Sequence, residues 1–398
     1  MPRPLLATAL FLALSFIAVA CADNDEQGVL NLAETTREEA ANEPSDEAPE
    51  DLTPSPTPVS GCEPGAWSSV EELGRLFIAT PGGTSLAQSE IDTLEAYRIG
   101  GVLVRSYNVA NREQLRALLA EIHANGETLT LVDHEGGSVQ LPGVEPRISS
   151  ASTLGVGSVE ETRAAAALVG ADLKALGFDI DLAPVADVKA PGYNTVSSRS
   201  FGTDPAFVGL HVLAFAQGLR DAGLVPTVKH FPGYGKAVGD AHLQLTTVGT
   251  PAEELRAVDL PPFQAAVDAG LPMIMTSHLH YAWLDAEVRP ATISPDIISG
   301  LLRGEMGFNG VVVTDSLGMG AITLTVGTGE GVVLALAAGA DMMLLTANIT
   351  EVPAFVQRVQ EAVDTGRLPR ERVEEALGRI SALQRLARGG DATCLLPE

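Results

Sequence analysis

The sequence predicts an α/β protein of the (β/α)8 TIM-type barrel class with a single catalytic domain. Eight short apolar segments alternate strictly with longer segments of helical periodicity, which is the pattern of repeated βα units. The alternation extends over about 330 residues, the size of such a barrel with some insertions. Ionisable residues follow several of the apolar segments, and barrel enzymes carry their catalytic groups at these strand ends.

The apolar segments predict strands at Leu76–Ala79, Gly101–Val104, Leu129–Val132, Ile180–Ala183, Leu224–Val228, Met273–Met275, Gly310–Val313 and Met342–Leu345. Helices are predicted at Arg112–His123, Val159–Leu176, Ala206–Ala222, Ala252–Ala269, Pro295–Met306, Gly331–Ala338, Val352–Asp364 and Arg370–Arg388. A doubly wound open sheet is the alternative. It would need a glycine-rich phosphate loop after the first strand, and Pro81-Gly82-Gly83 is a poor match to one.

The N-terminal part of the chain differs from the rest. Residues 1–21 combine Arg3, an apolar run and small residues before Cys21, which predicts a lipoprotein signal peptide with Cys21 as the lipidated residue. Ordinary cleavage without a lipid and an uncleaved anchor helix are the alternatives. Residues 22–60 hold eleven acidic residues against one arginine and end in a Pro- and Ser-rich run, so they predict a disordered linker. The barrel is expected over residues 61–398.

Three cysteines are present in the chain. With Cys21 lipidated, Cys62 and Cys394 remain at the two ends of the predicted barrel. They are candidates for a disulfide in an oxidising compartment, and two unrelated thiols are the alternative. The predicted location is outside the cytoplasmic membrane, with the protein lipid-anchored to the cell surface or to the periplasmic face. The anchor is the expected membrane contact, and the barrel is expected to be a monomer.

Composition and motifs argue against several function classes. The formal net charge of −26 argues against a nucleic-acid partner, because phosphate binding needs clustered Lys and Arg. No close histidine pair on one helix and no cysteine cluster occurs, so neither a metal nor a cofactor is expected. No Gly-x-Ser-x-Gly elbow is present. A carbohydrate substrate suits the remaining carboxylates, lysine, arginine and histidines.

Polar residues follow five of the predicted strands. They are Asp133 after the third, Asp187 after the fourth, Lys229 and His230 after the fifth, His278 after the sixth and Asp315 after the seventh. Because the carboxyl ends of barrel strands meet at one face, these side chains are expected to converge on one pocket.

The loop after the fifth strand is rich in glycine and contains Asp240 and His242. A carboxylate beside an imidazole orients the ring, which suits a general acid and base. From the residues alone, the simpler interpretation is that Asp240 caps a turn and that His242 is a surface residue.

These segments together resemble glycoside hydrolase family 3, and within it the single-domain β-N-acetylhexosaminidases. The matching segments are residues 131–137 (LVDHEGG), 183–187 (APVAD), 199–202 (RSFG), 229–233 (KHFPG), 275–278 (MTSH) and 313–315 (VTD). They follow the family's order across the barrel. One departure concerns substrate binding, since Leu141 stands where the family usually has an arginine.

The resemblance implies that Asp315 is the nucleophile, that His242 is the acid/base and that Asp240 is the partner of His242. It implies that four residues bind the hydroxyls of the sugar in the first subsite, namely Asp133, Arg199, Lys229 and His230. Asp187 and His278 are expected to support the site.

The expected function is therefore that of a retaining glycoside hydrolase that removes terminal N-acetyl-β-glucosamine from peptidoglycan or chitin-type fragments. A β-glucosidase, a phosphorolytic variant of the same barrel and an inactive lipid-anchored sugar-binding protein are the alternatives.

Overall fold

The computed structural model describes residues 62–193 and 195–396. The signal peptide, Cys21 and the acidic linker lie outside this range, so the expectations for them stay predictions. Within the described residues, no helix combines the length and the apolar character needed to cross a membrane.

Eight parallel strands form the barrel. They are Phe77–Thr80, Gly101–Val104, Leu129–Val132, Ile180–Asp181, a fifth strand in two pieces (Val225–Pro226 and Val228–Phe231), Met273–Thr276, Val311–Val313 and Met343–Asn348. We number them one to eight in chain order. Strand eight pairs with strand one, and strands one to five follow in order. Strands five to seven form a second run.

Single bridges between Val185 and Lys229 and between Val313 and Met342 join the two runs of strands. The ring is therefore closed, and the predicted barrel is confirmed. Closure of the ring leaves the eight barrel strands without an unpaired sheet edge. The strands are largely apolar, because helices cover the outside and side chains fill the inside.

Helices cover the outside of the barrel. The α-helices of eight or more residues are Gln88–Tyr97, Arg112–Ala124, Val159–Leu176, Pro205–Asp221, Pro261–Asp268, Thr328–Ala338, Val352–Asp364 and Arg370–Ala387. The first of them was not predicted. The segment Asp296–Glu305 forms a π-helix.

The predicted helix Ala252–Ala269 is interrupted. A short helix, Ala252–Glu254, leads into a π-helical turn, Leu255–Asp259, and a new α-helix begins at Pro261. Two consecutive prolines, Pro261 and Pro262, explain the break, because proline cannot donate a backbone hydrogen bond and is tolerated in the first turn of a helix.

The last helix, Arg370–Ala387, lies across the N-terminal ends of the strands. Its Leu377 carbonyl accepts a hydrogen bond from Arg75, which precedes strand one, and its Gln384 donates to the carbonyl of Glu127, which precedes strand three. The helix therefore contacts the chain directly before strands one and three.

A buried carboxylate joins the last helix to strand eight. Asp341 forms ion pairs with three arginines. The N–O distances to Arg303, Arg372 and Arg379 are 2.6, 2.6 and 3.1 Å. Burial works to raise the pKa of Asp341, but the three guanidinium groups lower it to about 2. The carboxylate is therefore charged at neutral pH and acts as the common counter-ion of the cluster.

Cys62 and Cys394 form a disulfide with an S–S distance of 2.09 Å. The residues around Cys394 line a cleft with Leu224 and Pro272, which precede strands five and six. The N-terminal segment also packs on the last helix, where Arg370 lies 3.8 Å from the centroid of the Trp67 ring. Both ends of the described chain therefore lie near the N-terminal ends of the strands.

Candidate active site

A cavity of about 380 Å³ opens at the opposite end of the barrel, where the strands have their C-terminal ends. The polar residues that line it are Arg105, Asp133, Glu135, Arg199, Lys229, His230, His242, Asp315, Ser316 and Thr346. Six of the nine residues predicted for catalysis, binding and support are among them. Of the other three, Asp187, Asp240 and His278, each contacts a residue of the cavity wall.

Glu135 is the centre of an ionic network on one wall. Arg199 donates to both of its carboxyl oxygens at 2.7 Å. Lys229 lies 2.7 Å from Glu135 Oε1 and 2.7 Å from Asp133 Oδ1. Two-point binding of this kind fixes the plane of the guanidinium group as well as its position.

The network holds its members in their charged forms. Burial works to raise the pKa of Glu135, but Lys229 and Arg199 lower it to about 2. Burial likewise works to lower the pKa of Lys229, but Asp133 and Glu135 raise it above its usual value. Lys229 is only 2% exposed. A buried lysine can stay charged there only because it is paired with carboxylates.

His230 is oriented from behind by Asp187. Its Nδ1 lies 2.8 Å from Asp187 Oδ2, and the other oxygen of Asp187 accepts the backbone N–H groups of His230 and Tyr234. Asp187 has no exposed surface. An ionised carboxylate accepts only, so Nδ1 carries the proton and Nε2 faces the cavity, 3.4 Å from Arg199 Nη2.

Asp315 follows strand seven and is half-buried. Its Oδ1 accepts the backbone N–H of Ser316 at 2.7 Å. Its second oxygen accepts no hydrogen bond from the residues that the structure describes. Burial works to raise the pKa of Asp315, but His278, His230, the N–H of Ser316 and Lys229 lower it below its usual value. The result is a carboxylate with a free oxygen at the cavity.

His278 lies beneath Asp315 and is fully buried. Burial lowers its pKa below the usual value, so the ring is neutral near pH 7. Its Nε2 donates to the carbonyl oxygen of Ser316 at 2.9 Å. His278 therefore holds the backbone directly after Asp315.

Asp240 and His242 lie at the mouth of the cavity. Asp240 Oδ1 accepts the backbone N–H of His242 at 2.9 Å and its ring Nδ1 at 2.7 Å. Asp240 thus both caps the turn and orients the ring of His242. The His242 side chain is 72% exposed.

The loop that carries His242 is docked on the segment after Asp315. The backbone N–H groups of Gly320 and Ala321 donate to the carbonyls of His242 and Ala241 at 2.9 and 3.1 Å. A side chain on Gly320 would lie 2.3 Å from the carbonyl oxygen of Leu243, so the close approach depends on glycine at that position. The Tyr234 hydroxyl accepts the N–H of Ala241 at 3.2 Å.

Four polar residues of the cavity were not predicted from the sequence, namely the charged Glu135 and Arg105 and the hydroxyl-bearing Ser316 and Thr346. Glu135 lies within the segment 131–137 that supported the family resemblance, and Arg105 directly follows the predicted strand Gly101–Val104. The strand-end rule could have found both. Leu141, the departure from the family pattern, is buried and does not line the cavity.

Comparison with known proteins identifies the family. The profile of the "Glycosyl hydrolase family 3 N terminal domain" matches residues 70–383. The chain belongs to glycosyl hydrolase family 3. The family predicted from the sequence segments is thereby confirmed, and the protein is a glycosidase.

Relatives in glycosyl hydrolase family 3 cover most of the chain. Beta-hexosaminidase LpqI of Mycobacterium tuberculosis is 34% identical over 348 residues, which is 83% of this chain and 87% of the relative. The beta-hexosaminidase of Methylococcus capsulatus is 35% identical over 288 residues, or 70% of this chain and 84% of the relative.

Solved structures of the same family are also similar. A glycoside hydrolase family 3 beta-N-acetylglucosaminidase from Paenibacillus sp. str. FPU-7 is 34% identical with a TM-score of 0.78, over 81% of this chain and 63% of that chain. A beta-N-acetylhexosaminidase from Beutenbergia cavernae is 29% identical with a TM-score of 0.74, over 80% of this chain and 99% of that chain.

Proposed function

We propose that the protein is a retaining β-N-acetylhexosaminidase that removes terminal N-acetyl-β-glucosamine from peptidoglycan or chitin-type fragments. The observation that carries the proposal is that one cavity has an oxygen of Asp315 free at one side and the imidazole of His242, held by Asp240, at its mouth. Retaining hydrolysis requires these two groups, a nucleophile and an acid/base. Relatives named beta-hexosaminidase support the sugar class.

In the first step, Asp315 attacks the anomeric carbon, and His242 donates a proton to the departing oxygen. Asp240 accepts Nδ1–H of His242, so Nε2 is the atom that carries the transferred proton. In the second step, neutral His242 takes a proton from water, and the water oxygen attacks the anomeric carbon and releases Asp315. Because its pKa is lowered, Asp315 is already ionised when the substrate arrives.

The network around Glu135 has a separate role in this proposal. Asp133, Arg199, Lys229 and His230 bind the hydroxyls of the sugar in the first subsite. Glu135 neutralises and orients the two cations without touching the reacting carbon. Fixed donors of this kind lose no freedom when the substrate binds, so they can position the sugar for attack.

The location is part of the proposal as well. The predicted signal peptide and lipidation at Cys21 would place the enzyme outside the cytoplasmic membrane, as a lipid-anchored monomer. The disulfide between Cys62 and Cys394 supports an oxidising compartment, where such bonds form and persist.

The first test measures turnover of aryl N-acetyl-β-glucosaminide and aryl β-glucoside, each with and without phosphate. We expect the N-acetylated substrate to be cleaved much faster, and at a rate that does not depend on phosphate. A preference for the glucoside would contradict the sugar assignment. Rate stimulation by phosphate would point to phosphorolysis, and cleavage of neither substrate would contradict the enzyme assignment.

The second test replaces the proposed nucleophile. Asp315→Asn should lower kcat by about 1,000-fold or more, because loss of a covalent nucleophile raises the barrier by about 4 kcal/mol. Asp364→Asn, the same change on an exposed outer helix, is the control and should leave kcat unchanged. Residual turnover of Asp315→Asn within tenfold of the wild type would rule out its role as nucleophile.

A further inference from the structure

Arg105 is a cation of the cavity that has no counter-ion among the residues described by the structure. It follows strand two and lines the cavity wall. Its Nε atom is buried and has no hydrogen-bond acceptor. In the part of the chain that the structure describes, no carboxylate forms an ion pair with its guanidinium group. A buried donor without a partner is costly, so this arrangement favours a ligand that supplies the acceptor.

The other two permanent cations of the cavity are already paired. Lys229 contacts Asp133 and Glu135, and Arg199 is held at two points by Glu135. Asp315 lines the same cavity, but among the described residues it forms no ion pair with Arg105. The guanidinium group of Arg105 is therefore available to a ligand, whereas Lys229 and Arg199 already pair with carboxylates of the protein.

The position of Arg105 indicates which part of a substrate it would meet. Val104 pairs with Val132 in the parallel sheet, so Arg105 and Asp133 occupy adjacent places on the same wall. Asp133 is proposed above to bind hydroxyls of the sugar in the first subsite. A group contacted by Arg105 would therefore belong to that sugar and not to the leaving group.

We propose that Arg105 binds an anionic substituent on the sugar in the first subsite and makes the enzyme selective for acidic N-acetyl-β-glucosaminides. A guanidinium group offers a planar fork of donors that matches a carboxylate, sulfate or phosphate. The chain has a net charge of −26, which disfavours anionic ligands in general. A cation inside the cavity would offset that repulsion locally. This inference rests on the proposed hydrolytic function.

The test compares three aryl β-glycosides. One is the neutral N-acetyl-β-glucosaminide, one carries a sulfate ester at O6 of the same sugar, and one is the N-acetyl-β-muramide, which carries a carboxylate on its lactyl ether. The two charged substrates distinguish the position and the kind of anion. The quantity measured is the ratio of kcat/KM for each charged substrate to kcat/KM for the neutral one.

Arg105→Gln should lower this ratio by about 10- to 100-fold for at least one charged substrate, the effect expected for losing a hydrogen-bonded charge. Arg105→Lys keeps the charge without the fork and should give an intermediate ratio. Arg116→Gln removes the same charge from the exposed face of an outer helix and should leave the ratio at the wild-type value. Melting temperatures of all variants verify folding.

Equal losses of kcat/KM on neutral and charged substrates would overturn the inference, since Arg105 would then serve the cavity as a whole. An unchanged ratio in Arg105→Gln would overturn it too. If the wild type cleaves none of the three glycosides, the proposed function fails. Calorimetric binding of free N-acetylmuramic acid and N-acetylglucosamine to wild type and Arg105→Gln then decides the inference. The inference is supported if the wild type binds N-acetylmuramic acid more tightly than N-acetylglucosamine and Arg105→Gln does not. Equal affinities of the wild type for the two sugars would refute the inference.

Discussion

Replacing Glu135 by glutamine should both destabilise the fold and impair the site. The change keeps the shape of the side chain but removes its negative charge. Lys229, which is 2% exposed, would keep Asp133 as its one carboxylate, and Arg199 would lose its two-point contact. Removing one partner of a buried ion pair leaves an uncompensated charge, and this costs about 3 to 5 kcal/mol.

The pKa of Glu135 gives a second estimate of the same quantity. Burial opposes ionisation of Glu135, but Lys229 and Arg199 lower its pKa from 4.5 to about 2. At 1.36 kcal/mol for each pKa unit, this corresponds to about 3 kcal/mol of stability at neutral pH. A carboxyl group with a lowered pKa in the folded state contributes its stability above pH 4.5. The contribution is lost as the pH falls from 4.5 toward 2.

The assay is urea unfolding of the wild type and Glu135→Gln at pH 7 and at several values down to pH 3. The free energies of unfolding should differ by about 3 kcal/mol at pH 7, and the difference should shrink below pH 4.5. In addition, kcat/KM at pH 7 should fall by about 100-fold, because the sugar-binding cations lose their fixed positions.

Glu90→Gln is the matched control for activity. Glu90 is also buried, but it accepts hydrogen bonds from Gly82, Ala87 and Asn348 and does not line the cavity. The Glu90→Gln variant should be less stable than the wild type but should have the same kcat/KM. A difference of less than 1 kcal/mol between Glu135→Gln and wild type at pH 7 would refute the reasoning. A difference that stays constant down to pH 3 would refute it as well.

Three further predictions follow from other contacts. Cys62→Ser removes the disulfide to Cys394, which links residues 332 positions apart in the sequence. The variant should lose about 3 to 5 kcal/mol of stability. The wild type in reductant should melt at the same temperature as the variant, and kcat should be unchanged in both, because the cavity lies far from the disulfide. Asp341→Asn removes the counter-charge of three buried arginines and should cost about 3 to 5 kcal/mol in denaturant unfolding. Tyr234→Phe removes a hydroxyl that accepts a hydrogen bond from the loop of His242. It should lower kcat by about 10-fold with little change in KM. An unchanged kcat would show that this hydrogen bond does not position the loop for catalysis.

The barrel could be predicted because its pattern depends on local sequence. Strands that are buried on both faces are apolar throughout, and the predicted ranges Gly101–Val104 and Leu129–Val132 match the structure. The fourth strand is shorter than predicted and ends at Asp181. Pro184 follows closely and cannot donate to a sheet. Such boundaries depend on neighbouring strands, which the sequence does not show.

The site was predictable at the level of strand ends but not at the level of pairing. Asp133 and Lys229 are 96 residues apart in the chain, and no local pattern indicates that Lys229 pairs with both Asp133 and Glu135. For the same reason, the sequence could not show that Arg105 has no carboxylate partner among the described residues. That can be seen only when the positions of the surrounding side chains are known. Asp240 and His242 show the opposite case, because two residues so close in the chain form their contact locally.

The disulfide between Cys62 and Cys394 makes the described domain a covalent ring. A protease that cuts one loop between these cysteines opens the ring but releases no fragment, and all eight strands stay in one connected molecule. Refolding after such a cut would be an intramolecular event, with no loss of fragment concentration by dilution. The loops at the open end, including the glycine-rich loop that carries His242, can therefore be cleaved without the two halves of the barrel separating.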